Sequence, residues 1–269
     1  MYPEIAELSK IGGRKVNEDA IDHWCTSDLT CCVLSDGLGG HYGGNVASQL
    51  VISSIGERFI QQPRCSIDEV RLLLNIADNA IGQEQHRNIT LKNMRATAVL
   101  LIIDTINTVA VWGHIGDSRL YCFRNGKIIF QTRDHSISQN MIEAGYLKPM
   151  ELRSSPTRNQ LYAALGNGDT SEVDILPKEF PILYGDVFLM CSDGLWEYIE
   201  ECEMESMLDF ASTALEWLGA MEKKVLTRGI STSQDNYSAI AIWCKDSDDD
   251  RTLMPKSGIN IDDLFARRT

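Results

Sequence analysis

One short phrase occurs twice in the chain: VLSDGL at 33–38 and MCSDGL at 190–195, each an apolar run entering Ser-Asp-Gly-Leu. A β-branched and aliphatic run of this length reads as a strand, and a lone Asp-Gly at its end reads as a turn. The second copy changes that reading. Two strands that are distant in sequence each present an aspartate at their mouth, beside a glycine that lets backbone approach closely. Oxygen ligands are gathered around a hard cation in this way.

The rest of the chain supplies more strands of the same kind. CCVLS (31–35), TAVLLIID (97–104), TVAVWG (108–113), SRLYCF (118–123), KIIFQ (127–131), VFLMCS (187–192) and SAIAIWC (238–244) are short and aliphatic. Asn125-Gly126 suits a tight hairpin turn, and the Ile106-Asn107 turn joins two further strands. Helical periodicity predicts helices over 45–61, 67–86, 136–145 and 203–221. Strands in antiparallel runs with helices clustered apart predict an α+β layered fold, not a parallel βαβ sheet.

Composition narrows the class. With 38 acids against 25 bases in 269 residues, the net charge of −13 excludes a basic nucleic-acid footprint and a polybasic membrane-surface segment. At 43% hydrophobic residues the chain can form a full core. MYPEIAELSK lacks the pattern of a signal peptide and no apolar run spans a bilayer, which predicts a cytoplasmic protein with no membrane or nucleic-acid partner. The eight cysteines contain no Cys-x-x-Cys pair and read as reduced, mostly buried thiols; Cys31 and Cys32 are expected on opposite faces of one strand. Residues 1–244 read as one domain with a polar, loop-rich excursion over about 145–186, followed by an acidic, mobile tail over 245–269.

Three further acidic sites accompany Asp36 and Asp193. Asp117 follows a strand in HIGDSR, Asp235 precedes one in SQDNYS, and Glu18-Asp19 lie in GGRKVNEDA. No histidine stands among these six carboxylates at a zinc-like spacing, so the donor set is oxygen-rich and selects Mg²⁺ or Mn²⁺. Converging carboxylates raise one another's pKa unless cations intervene. Two such cations serve in-line attack on a phosphate ester, and Arg14, four residues before Glu18, offers a planar fork to phosphate oxygens.

In this order and spacing, GGRKVNEDA, SDGLGGHYGG, RATAVLL, GHIGDSR, RDHS, LMCSDGLWEYI and QDNYSAIAI resemble the motifs of the metal-dependent serine/threonine phosphatases of the PPM, or type 2C, class. The resemblance covers roughly 10–243, and the DGLGGH form is similar to the bacterial branch. It implies a central β-sandwich of two antiparallel sheets flanked by helices, in α-β-β-α layers.

It further implies that Asp36 bridges two catalytic ions, with the Gly37 carbonyl on one of them. Asp193, Asp235 and Asp19 would complete the set, and Glu18 would act mainly through water. Asp117 and Asp193 would hold a third ion, and Arg14 the substrate phosphate. A bridging hydroxide would attack phosphorus, and His41 is the candidate proton donor to the leaving alkoxide. Thr97 matches a position near the metal-bound waters, although a strand threonine packing beside alanine accounts for it equally.

The family's motifs carry an arginine where this chain has Ala163, and the excursion at 145–186 corresponds to its flap. Residues 197–209 hold six acids and no base, as a solvated helix surface or a docking face for a basic partner would. The expected activity is hydrolysis of phosphoserine and phosphothreonine on proteins by a monomer that opposes a serine/threonine kinase. Two alternatives stay open at this point: a two-metal phosphohydrolase for another phosphomonoester, and a non-catalytic module with the same fold.

Overall fold

Neighbouring residues of the predicted strands enter different cores. Cys31 and Val33 pack toward helices while Cys32 and Leu34 pack between two sheets, and Leu189 and Met190 divide in the same way. Both faces of each central strand are covered. That is why the apolar runs are continuous instead of alternating, as they would be in a half-solvated antiparallel sheet.

The coordinates are those of a computed structural model, which describes residues 1–39, 43–168, 170, 172–229 and 234–246. In chain order its elements are β1 (Tyr2–Lys10), β2 (Asp19–Cys25), β3 (Leu29–Leu38), α1 (Gly43–Gln61), α2 (Ile67–Arg87), β4 (Arg95–Ala96), β5 (Ala98–Asp104), β6 (Val109–Ile115) and β7 (Arg119–Arg124). There follow β8 (Lys127–Gln131), α3 (Ile137–Glu143), β9 (Asp174–Ile175), β10 (Phe180–Pro181), β11 (Val187–Cys191), α4 (Asp193–Trp196), α5 (Glu201–Phe210), α6 (Ala214–Gly229) and β12 (Tyr237–Lys245).

One antiparallel sheet runs β1-β12-β11-β7-β8, and the other β10-β6-β5-β3-β2, with β4 on β3 and β9 on β6. Helices α1 and α2 cover the outer face of the second sheet, and α4, α5 and α6 that of the first. Leu101, Trp112, Leu120, Phe188 and Ile242 meet between the sheets. The α-β-β-α expectation therefore holds. No described helix is long and apolar enough to cross a membrane.

Asn125 and Gly126 both take positive φ, 53° and 73°, between β7 and β8, as a type I′ hairpin turn requires. Strands β1 and β2 do not stand out in the sequence because their outward residues are polar. Their identity comes from pairing: β1 lies against β12 along its whole length, and β2 against β3.

The single helix expected over 203–221 is two helices, with Ala211 extended between them. Thr213 Oγ1 accepts the Glu216 N–H, and Glu216 accepts the Ser212 N–H, which is the start signal of a new helix. The excursion carries a 3₁₀ turn over Pro149–Ser154 and the short strands β9 and β10. Most of the expected acidic tail, 247–269, lies outside the described residues.

Candidate active site

The register of β2 on β3 sets Asp19 opposite Asp36, so the two carboxylates share one face. Thr97, between β4 and β5, holds the end of β3. Its N–H donates to the Asp36 carbonyl at 2.8 Å, and its Oγ1 accepts the Asp36 N–H at 2.9 Å while pairing with Ser118 Oγ at 2.7 Å. Thr97 is thus a buried residue hydrogen-bonded to the main chain of Asp36. Asp193 opens α4 directly after β11, Asp117 follows β6, and Asp235 precedes β12. Strand ends from both sheets converge here.

The glycines of the repeated phrase are fixed by close backbone approach. A Cβ on Gly37 would lie 2.0 Å from the Gly44 carbonyl oxygen, and one on Gly194 would lie 1.9 Å from that of Asn236. The Gly37 carbonyl and the Glu18 carboxylate both border Gly44, where a Cβ would sit 2.6 and 2.7 Å from their oxygens.

Asn236 fastens the loop that bears Arg14 and Glu18. Its Oδ1 accepts the Glu18 N–H at 2.8 Å, and its Nδ2 donates to the carbonyls of Ile11 and Val16 at 2.8 and 3.0 Å. Arg14 Nη2 donates to Asp235 Oδ2 at 2.6 Å, a contact that raises the guanidinium pKa. With its side chain 53% exposed, the fork keeps further N–H groups toward solvent.

Crowding and burial shift the equilibria of five carboxylates here. Burial, then Asp19, Asp193, Asp117 and Asp235, push Asp36 well above the ordinary carboxylate range. Burial and Asp117 do the same to Asp193. Burial raises Asp19 to about 6 against the opposing Ser192 and Ser238 hydroxyls, and burial with Asp134 raises Asp117 to about 7. Glu18 rises through burial and Asp235. Two oxygens in this cluster, Asp19 Oδ1 and Asp193 Oδ1, are buried with no hydrogen-bond partner.

An orphaned buried carboxylate oxygen is costly, and a divalent cation satisfies it. An all-oxygen donor set fits Mg²⁺ or Mn²⁺. The structure brings Glu18, Asp19, Asp36, Asp117, Asp193, Asp235, the Gly37 carbonyl and Arg14 together in one place. His41 lies outside the described residues.

Several contributors were not anticipated. Glu197, one helical turn after Asp193, is largely buried, and its pKa is raised by burial despite an ion pair with Arg158 from the excursion. Its signal was the i, i+4 spacing from Asp193. Trp196 Nε1 donates to the Asp117 carbonyl at 2.9 Å, and the Arg119 guanidinium, bidentate on Asp134, lies 3.5 Å from the Trp196 ring centre.

The acidic run 197–209 is neither a bare solvated surface nor a free docking face. Glu197 pairs with Arg158, Glu201 with Arg153, Glu203 with Arg228 and Lys224, and Glu205 with Lys127. These bases come from elsewhere in the chain, so the run alone looks uncompensated.

His114, His135 and Asp174 gather at the base of the excursion. The histidine rings are stacked 24° from parallel, and His135 Nδ1 accepts the Gly116 N–H at 3.2 Å. Nearly parallel rings do not aim lone pairs at one point. The group is a structural hydrogen-bonded stack, with His114 Nε2 also 2.8 Å from the Arg133 carbonyl.

Comparison with known proteins points the same way. A family model described as Protein phosphatase 2C matches residues 8–229. Protein phosphatase PhpP of Streptococcus pneumoniae is 28% identical over 214 residues, covering 76% of this chain and 84% of that protein. The serine/threonine phosphatase stp of Listeria innocua is 27% identical over 229 residues, covering 83% and 85%. The catalytic domain of the serine/threonine phosphatase PstP, solved with two manganese ions, superposes with a TM-score of 0.78 at 26% identity over 91% of this chain and 99% of that one.

Proposed function

The chain belongs to the protein phosphatase 2C family, and on that premise we propose that its carboxylate cluster hydrolyses phosphoserine and phosphothreonine on proteins. It is a metal-dependent protein serine/threonine phosphatase of the bacterial type. The observation that carries the assignment of the site is the pair of orphaned buried oxygens, Asp19 Oδ1 and Asp193 Oδ1, inside a group of six carboxylates edged by an arginine fork.

Two divalent ions, Mn²⁺ or Mg²⁺, would be held by Asp36, the Gly37 carbonyl, Asp19, Asp193 and Asp235, with Glu18 acting through water. Asp117 and Asp193 would share a third. Bound there, such ions acidify water and neutralise charge on phosphoryl oxygens. Arg14 orients the phosphate through the N–H groups not spent on Asp235. Asn236 keeps Arg14 and Glu18 on the same side of the cluster by fastening their loop at both ends. His41 is assigned the proton for the leaving alkoxide on the sequence alone.

Residues 1–244 form one catalytic unit in this reading, supported by the pairing of β1 with β12, and 145–186 is its flap. The protein acts as a cytoplasmic monomer that reverses the work of a serine/threonine kinase.

The direct test is release of phosphate from a phosphothreonine peptide. Release should require added Mn²⁺ and stop on chelation with EDTA; release that is unaffected by EDTA would overturn the assignment. In the same assay Arg14→Ala should lower kcat/KM by about 10–100-fold, the loss of a charge-assisted hydrogen-bonding pair to phosphate. An unchanged kcat/KM would remove Arg14 from the site.

A further inference from the structure

The two serines of the repeated Ser-Asp-Gly phrase, fully buried and identically placed in sequence, do different work. Ser35 Oγ donates to a main-chain oxygen, the Thr97 carbonyl, at 2.7 Å. Ser192 Oγ donates to a side chain, Asp19 Oδ2, at 2.8 Å. The direction of that second bond is fixed. The Ser238 N–H donates to Ser192 Oγ at 3.0 Å, and the Ser192 N–H donates to the Ser238 carbonyl at 3.0 Å, so the hydroxyl is pinned by β12 and its one proton points to Asp19.

Asp19 is thereby asymmetric. One oxygen, Oδ2, accepts the Ser192 hydroxyl, with the Ser238 hydroxyl also beside the carboxylate, while Oδ1 is buried without a hydrogen-bond partner. We propose that Ser192 is a positioning residue for Asp19: it clamps one carboxylate oxygen from the opposite sheet and leaves the other as the atom presented to the metal centre. Ser192 sits at the end of β11 and Asp19 at the start of β2, so the contact also fixes the relative placement of Asp193 and Asp19, ligands contributed by different sheets. This inference rests on the metal site proposed above. Groups that hold a ligand from behind in this manner are worth about 10–100-fold in metal affinity when removed.

Mn²⁺ binding measured by isothermal titration, on the full chain stripped of metal, tests it. Ser192→Ala should weaken Mn²⁺ binding by about 10–100-fold, with activity recovering at saturating Mn²⁺. Ser35→Ala serves as the matched control, since it loses a buried serine of the same phrase that touches no ligand carboxylate; its Mn²⁺ affinity should stay within about twofold of wild type. If Ser192→Ala does not fold, judged by circular dichroism, Ser192→Cys replaces it, because its thiol still accepts from Ser238 but donates weakly.

Mn²⁺ affinity within about twofold of wild type in the folded Ser192 variant would overturn the proposal, as would equal losses in the Ser192 and Ser35 variants. Failure of the wild-type protein to bind Mn²⁺ at all would instead overturn the site itself, so the two failures are distinguishable.

Discussion

Asp193→Asn is expected to lower Mn²⁺-dependent hydrolysis of p-nitrophenyl phosphate by at least about 10³-fold while the fold persists. Asp193 is buried, its Oδ1 has no partner, and it lies among Asp117, Glu197, Asp235, Asp19 and Asp36, in the middle of the carboxylate cluster. An amide of the same shape offers a neutral oxygen or turns N–H donors into a space built for a cation.

The backbone around Asp193 has independent support. Its carbonyl accepts the Glu197 N–H at 2.9 Å, and Gly194 packs against the Asn236 carbonyl. Losing one of several mutually repelling acids should make the metal-free protein melt at a higher temperature than wild type. Full Mn²⁺-dependent activity in this variant would remove Asp193 from the metal site, and loss of the folded circular dichroism spectrum would show that the residue is needed for folding.

The sequence displays those parts of this site that are carried by short segments. Apolar runs ending in Asp-Gly marked the ends of β3 and β11, and the acids of GGRKVNEDA, HIGDSR and SQDNYS lay at similar strand boundaries, where loops present side chains that the strands beneath them fix. Contacts between distant segments were not legible. Ser192 to Asp19, Asn236 to the Arg14 loop, and Thr97 to Ser118 each join residues whose partners no local pattern names. The acidic run 197–209 was misleading for the same reason, since its neutralising arginines and lysines arrive from other elements. One error was local. The break between α5 and α6 was written in Thr213-x-x-Glu216, a helix start lying inside an otherwise unbroken helical period.

In the metal-free protein, stability should fall as pH rises, and Mn²⁺ should cancel the fall. An acid whose folded pKa is raised keeps a proton that the unfolded chain has already released. Between the two values the unfolded state binds fewer protons, so the free energy of unfolding decreases with pH. For Asp19 that window runs from 3.8 to about 6, and for Asp117 from 3.8 to about 7; Asp36 and Asp193 are raised in the same direction by burial and by their neighbours. Because the acids share one cluster, they titrate as a group.

His114 opposes this over part of the range. Burial lowers its pKa from 6.5 to about 4, so the unfolded state binds the extra proton there and stability rises with pH. Above 6.5 that opposition ends, and only the acids remain. Thermal melts in EDTA should therefore show a melting temperature that drops once the pH passes about 6.5, whereas melts in saturating Mn²⁺ should hold level or rise, since the ions bind the ionised carboxylates and take the place of the protons. A metal-free melting temperature that stayed level or rose above that pH would mean that the carboxylates are already ionised without cations, and the electrostatic case for a metal centre at this cluster would fail.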